Sequence, residues 1–211
     1  MVTDILIQVG LGLITVFMFL IMHGIPQKVL TKFRFRNRPQ FQAKRHFVIG
    51  AQLLARARSA PSRSASNSLS KEALAEAEKA IALDPKDAAA HILKALALDL
   101  QGFKTSALDS LDVALSPLAI KSLSDQEHGD ALFKRAELKM AMSRRGQVDS
   151  ALADLTQAVE LVEDRGKVFR LLGECYEEKK MKDEAVKAYE DALAAEPTLV
   201  AAREALDRLR S

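Results

Sequence analysis

Very few side chains in this sequence could do chemistry. The four histidines, His23, His46, His91 and His128, are scattered, and none belongs to an HExxH helix or to a Cys/His cluster with metal-ligand spacing. Cys175 is the lone cysteine, with no second thiol to pair with and no histidine in its own stretch of chain to activate it. A small buried thiol is the expectation there. Glu177/Glu178 and Glu190/Asp191 are adjacent carboxylates, which a helix splays apart, so they do not face one another as a general acid and base must. No GxxxxGK[ST] or GxSxG motif is present, and Gly10 and Gly12, which imitate part of a phosphate loop, follow no strand. No catalytic residue, metal or cofactor is expected, which leaves binding.

Whatever binds must then be positioned by helices. The 211 residues hold no Trp and only six Pro, and beyond the apolar start they are rich in Ala, Leu, Lys, Glu and Asp, a composition suited to amphipathic helices. An all-α fold is expected. The charges are segregated: ten Lys/Arg and no Asp/Glu lie between Gly24 and Arg63, followed by 21 basic against 27 acidic residues from Ser64 onward. The net charge of +3 thus conceals a basic collar ahead of a mildly acidic domain.

Residues 5–25, ILIQVGLGLITVFMFLIMHGI, are 21 residues without a formal charge. As a helix they would reach about 31 Å, enough for the hydrocarbon core of a bilayer. A transmembrane helix is expected there, after a non-cytosolic tail at 1–4. A cleaved signal peptide fits less well, because Asp4 stands where a basic residue belongs and HGIPQ offers no small-x-small site. The collar, a juxtamembrane linker at 26–40, puts positive charge on the C-terminal side, so the N-terminus should face out and the remainder should be cytosolic. The endoplasmic reticulum, the mitochondrial outer membrane and the chloroplast outer envelope all suit such a signal-anchor. In KVLTKFRFRNR, Phe33 and Phe35 interleave with bases as in some RNA-binding segments. Beside a membrane span, topology and attraction to anionic lipid headgroups explain the same residues, and no nucleic-acid partner is expected.

Four segments then repeat one pattern. The clearest, residues 166–199, places Phe169, Leu172, Gly173 and Tyr176 on one helix face and Ala185, Tyr189 and Ala192 on the next, closed by Pro197. In residues 88–121, His91, Ala95, Leu98, Gly102, Ala107, Leu111 and Ala114 keep the spacing, and Pro117 comes early enough to shorten the second helix. The first segment shows His46, Ile49, Gly50 and Leu53, then Ala73, Ala77 and Ala80. Its turn should be enlarged by about eleven residues, as a mobile Ser-rich loop at 59–70 that no helix crosses at Pro61 and whose serines could accept phosphate. Residues 126–163 are the loosest. Ala151, Leu155 and Ala158 are in register, but Arg135 and Lys139 then fall where buried residues belong; sliding the first helix back by three residues puts Leu132 and Ala136 there, lengthens the turn around SRRGQ, and by this reading buries no charge. After Pro197, Leu199, Ala202, Leu206 and Leu209 form one apolar stripe, expected to be a capping helix at 198–211.

This pattern resembles the 34-residue tetratricopeptide repeat (TPR). The resemblance implies a TPR α-solenoid of about four helical hairpins over 41–197, with a groove lined by the first helix of each repeat. By family register the groove residues are Lys44, Phe47, Ala51 and Leu54, then Ala89, Ile92, Leu96 and Asp99, and finally Lys167, Arg170, Glu174 and Glu177. The clamp by which chaperone-binding members of the family hold a C-terminal EEVD is missing, since Phe47, Ala51 and Leu93 occupy its first three places. EEVD-type chaperone binding is therefore not expected. The resemblance points to apolar contacts through Phe47, Ile92 and Leu96 and, for an acidic segment, to Lys134, Lys167 and Arg170 within a basic group that includes Arg135 and Lys139. Glu174 and Glu177 share a helix with Arg170 and could neutralise it. The expected function is a membrane-anchored adaptor displaying a protein- or peptide-binding groove on the cytosolic face of an organelle. An import-receptor-like protein or a structural subunit of a membrane complex would share that layout.

Overall fold

The computed structural model describes residues 39–142 and 147–211, together with Gln8, Gly12, Ile14, Thr15, Val16, Met18 and Phe19. From Pro39 onward the described residues are helical and without strands: α1 (Pro39–Arg58), α2 (Arg63–Leu83), α3 (Ala88–Leu100), α4 (Lys104–Ala114), α5 (Asp125–Ala141), α6 (Gln147–Leu161), α7 (Arg165–Glu178), α8 (Lys182–Ala195) and α9 (Val200–Arg210). Consecutive pairs α1/α2, α3/α4, α5/α6 and α7/α8 form hairpins, each stacked on the next, and α9 packs on α8.

Small residues at fixed places let the two helices of each hairpin approach. Ala73 and Ala80 of α2, Ala107 and Ala114 of α4, Ala151 and Ala158 of α6, and Ala185 and Ala192 of α8 are all fully buried, with Leu111, Leu155 and Tyr189 filling the middle of the last three pairs. Facing them, Gly50, Ala95, Ala136 and Gly173 are buried on the first helices. The slid register of the third hairpin is the observed one: Leu132 and Ala136 are buried, and α5 ends at Ala141 with α6 beginning at Gln147. Most of the turn itself, 143–146, lies outside the described residues. The second hairpin is short as expected, α4 ending at Ala114, followed by a turn and one 3₁₀ turn (Ile120–Ser122).

The Ser-rich stretch corrects the expectation of a loop at 59–70. The turn is brief, and α2 begins at Arg63 with the Ser62 hydroxyl accepting from the Ala65 amide at 3.2 Å. Pro61 sits ahead of that cap, where no helical N–H is required. The inserted residues lengthen both helices, to 20 and 21 residues, instead of looping out. Packing overrides the modest helix propensity of serine: Leu54 and Ala57 on the extended α1, and Ser70 on α2, are buried.

The turns of the second and fourth hairpins are alike in hydrogen bonding and unlike in sequence. Phe103 N–H reaches Leu98 C=O and Gly102 N–H reaches Asp99 C=O; Met181 N–H and Lys180 N–H do the same to Tyr176 and Glu177, all at 2.8–2.9 Å. This closure needs a left-handed residue. Gly102 supplies it at φ 88°, whereas Lys180 is held at φ 61° with a side chain attached. Lys180→Gly is therefore expected to stabilise the chain by about 1 kcal/mol, read as a raised urea midpoint with an unchanged slope.

The helix expected as a cap, α9, has one apolar and one polar side. Ala202, Ala205 and Leu206 are buried against α8, while Arg203, Glu204, Asp207, Arg208 and Arg210 are exposed. Glu177 is more than a solvated carboxylate: it accepts from the Tyr189 hydroxyl at 2.5 Å and from Arg208 at 2.8 Å, tying α7 to α8 and α9. Burial pushes its carboxyl up, but the Tyr189 hydroxyl and the Arg208 guanidinium outweigh burial and hold it below the ordinary value of 4.5. A depressed folded-state value stabilises the fold above the unfolded-state value and is lost as pH falls through the folded one. The stability difference between wild type and Glu177→Gln should accordingly be largest at neutral pH and shrink in acid unfolding titrations below about pH 4.5.

Of the apolar stretch 5–25, the described residues are helical and exposed, with Ile14, Val16, Met18 and Phe19 each more than half accessible. The rest of that stretch, and the collar up to residue 38, lie outside the described residues. Among the described residues no helix is long and apolar enough to cross a membrane.

Candidate functional site

The first helices α1, α3 and α5 stand side by side, brought close by the small residues of the hairpins. At Gly50 a Cβ would lie 2.8 Å from Leu93 Cδ2, so the absence of a side chain there lets α3 settle onto α1. With Leu54 and Leu93 buried as the floor, Phe47 and Ala51 from α1, Ile92 and Leu96 from α3, and Phe133 from α5 line an open apolar groove of about 490 Å³. A concave apolar surface with a few charges at its margin is what a protein ligand site presents. Phe47, Ile92 and Leu96, expected at the groove, are brought together in it.

The cations expected beside them do not form one basic surface. Lys134 reaches the groove, but its ammonium is held by Asp99 at 2.8 Å and Glu137 at 2.7 Å. Burial alone would lower its pKa; the two carboxylates outweigh burial and raise it. Lys167 lies outside the groove, exposed and paired with Asp164 at 3.0 Å, and Arg170 is paired with Glu174 one turn along its own helix. Each of the three already has its carboxylate.

Lys139 is buried, and Arg135 is mostly withdrawn from the surface. Asp154 of α6 is buried and receives Arg135 through both Nε at 2.9 Å and Nη2 at 2.6 Å, and Lys139 Nζ at 2.6 Å. Arg135 also reaches Asp112 of α4 at 2.9 Å, and Lys139 reaches Ser150 Oγ at 2.7 Å. The expectation that the slid register buries no charge is thus corrected. It buries Lys139, at the place Tyr176 takes in the fourth repeat, and it does so because Asp154 comes with it.

Three isolated groups take structural places. Cys175 is fully buried, and burial pushes its thiol up to about 12, far from a nucleophilic thiolate. His91 is packed with Nε2 3.0 Å from the Pro85 carbonyl oxygen, and His46 Nδ1 lies 2.6 Å from Glu76 Oε2. Sequence reasoning missed Phe133, Asp130 and Arg58 at the groove. The signal for the first two was available: in the slid register Asp130 and Phe133 stand where Lys44 and Phe47 stand in the first repeat. Arg58 had none, because it reaches the groove only through the unexpected extension of α1.

Comparison with known proteins agrees with the helical-hairpin fold. A family model described as tetratricopeptide repeat matches residues 65–122 and 142–200, more than half of the chain. No curated protein matches. Among solved structures, pilF of Pseudomonas aeruginosa is similar at 18% identity and a TM-score of 0.64, over 81% of this chain and 68% of that one. MamA of Desulfovibrio magneticus RS-1 is similar at 18% identity and a TM-score of 0.65, over 80% and 84%. YrrB, described as a TPR protein with an unusual peptide-binding site, is similar at 22% identity and a TM-score of 0.56, over 74% of each chain. At these identities the likeness speaks for the fold alone. The hairpin geometry and the family match together place this chain in the tetratricopeptide repeat family, whose helical arrays are protein–protein interaction scaffolds and typically not enzymes.

Proposed function

We propose that the protein is a membrane-anchored TPR adaptor whose groove between α1, α3 and α5 holds an apolar segment of a partner protein. The groove carries the reading: Phe47, Ile92, Leu96 and Phe133 leave apolar surface open to solvent at one concave place, while the three cations expected to hold an acidic segment, Lys134, Lys167 and Arg170, are already paired. Contact through apolar side chains is favoured over the acidic segment, because a carboxylate would have to displace Asp99, Asp164 or Glu174 from its cation. Anchoring is supported by the uncharged residues 5–25 and the basic collar after them, and that charge order favours an N-terminus facing out and a TPR array facing the cytosol.

One experiment addresses both parts. The full chain with a photoreactive phenylalanine in place of Ile92 is irradiated in cells, and the membranes are washed with carbonate. The expected result is a crosslinked adduct that stays in the washed membranes, is weakened by Phe47→Ala, and is digested by protease added to intact organelles. Extraction by carbonate would remove the anchor, and an adduct indifferent to Phe47→Ala would remove the groove.

A further inference from the structure

The groove has a direction. Contacts between successive first helices are offset: Gly50 in the middle of α1 meets Leu93 in the first half of α3, and Asp99 near the end of α3 meets Lys134 in the middle of α5. The groove therefore crosses the helices diagonally, running from the C-terminal end of α1, where Arg58 stands, to the N-terminal half of α5, where Glu127 and Asp130 stand. Its marginal charges are unequal in their freedom. Lys134 is neutralised by Asp99 and Glu137, and Glu127 closes the capping box of α5 with Ser124. Arg58 is exposed and has no hydrogen-bond or ion-pair partner among the described residues beyond its own helix. Asp130 is exposed and, among the described residues, accepts only the Gln126 side-chain amide at 3.2 Å; Lys167 feels its charge but is itself bonded to Asp164.

We infer that the occupant is an amphipathic segment of a partner protein whose apolar face enters the groove, with an acidic residue toward Arg58 and a basic residue toward Asp130. Burial of apolar side chains is non-directional and gives affinity in either orientation. Charges of opposite sign at the two ends penalise the reversed orientation by placing like charges together, and so select one. This rests on the reading of the groove as the docking surface.

The test uses the full chain, isotope-labelled and in lipid nanodiscs, and one designed helical peptide with leucines at i, i+3, i+4 and i+7, a Glu at one end, a Lys at the other and a nitroxide beside the Glu. Paramagnetic broadening should favour the methyls of Leu54, on the Arg58 side of the groove, over those of Leu123, on the Asp130 side, by about tenfold, the sum of two partly exposed ion pairs gained or opposed. The exposed double variant Arg58→Glu/Asp130→Lys should invert that pattern, and Phe47→Ala and Ile92→Ala should each weaken binding of the peptide about tenfold by fluorescence anisotropy. Equal broadening at the two ends, or a pattern unchanged in the double variant, overturns the inference and leaves the groove standing. Absence of binding, or binding indifferent to both alanine variants, overturns the groove itself. Self-association of the chain that Ile92→Ala dissolves would make a second copy the occupant and overturn the inference as well.

Discussion

Asp154→Ala is expected to destabilise the protein by about 3 to 5 kcal/mol, the largest loss from any single charged residue in the array. Its two carboxylate oxygens receive three donors in a place that is 6% exposed. Without it Arg135 keeps Asp112, which is half exposed, but Lys139 keeps only the neutral Ser150 hydroxyl. A buried ammonium with no counter-charge must either stay unpaired or lose its proton, and both are unfavourable. The whole group is a different matter from its parts: replacing Arg135, Lys139 and Asp154 together by apolar residues of similar volume is expected to change stability little or raise it, since three desolvation penalties vanish with the attractions. Urea unfolding of the single and triple variants checks this. Equal losses would mean that packing, and not charge, holds this junction between α4, α5 and α6.

Tyr189→Ala should cost a similar amount, about 3 to 5 kcal/mol. The ring is 1% exposed and lies directly on the backbone of α7, where a Cβ on Gly173 would come within 2.6 Å of Cε1. Gly173, the facing residue, has no side chain to fall into that space, so much of the cavity remains open. Tyr189→Phe keeps the ring and loses only the bond to Glu177, which retains Arg208; about 1 to 2 kcal/mol is expected. Thermal unfolding that ranks phenylalanine and alanine together would show that the hydroxyl, not the ring, secures the hairpin.

The hairpins were legible because their packing imposes small residues at fixed spacing, and Gly173, Ala185 and Ala192 carry that constraint in the sequence. Loop and helix were not separable at 59–70, because serine is a poor helix former in isolation and the partner face of α1 that overrides it is distant in sequence. The same limit hid the group of Arg135, Lys139 and Asp154. Arg135 and Lys139 look misplaced on α5 from repeat register alone, because the carboxylate that receives them lies on α6 and spacing along α5 does not contain it. At the groove, the apolar positions followed from repeat register alone, as Phe47, Ile92 and Leu96 did. The state of the cations followed only in part: Glu174 pairs with Arg170 one turn along the same helix, as spacing suggested, whereas Asp99 and Lys134 belong to different repeats. Pairing across repeats depends on the offset between helices, which spacing within a repeat does not contain.

Whether the apolar face of α1, α3 and α5 receives the partner segment is read most directly from methyl resonances. Titrating the isotope-labelled full chain in nanodiscs with the leucine-bearing peptide should shift Ile92, Leu96 and Leu123, which line the groove, and leave Val113 and Leu118, exposed elsewhere on the array, unmoved. Shifts confined to Val113 and Leu118, or to Val159 and Leu172 in the cleft between α6, α7 and α8, would contradict it.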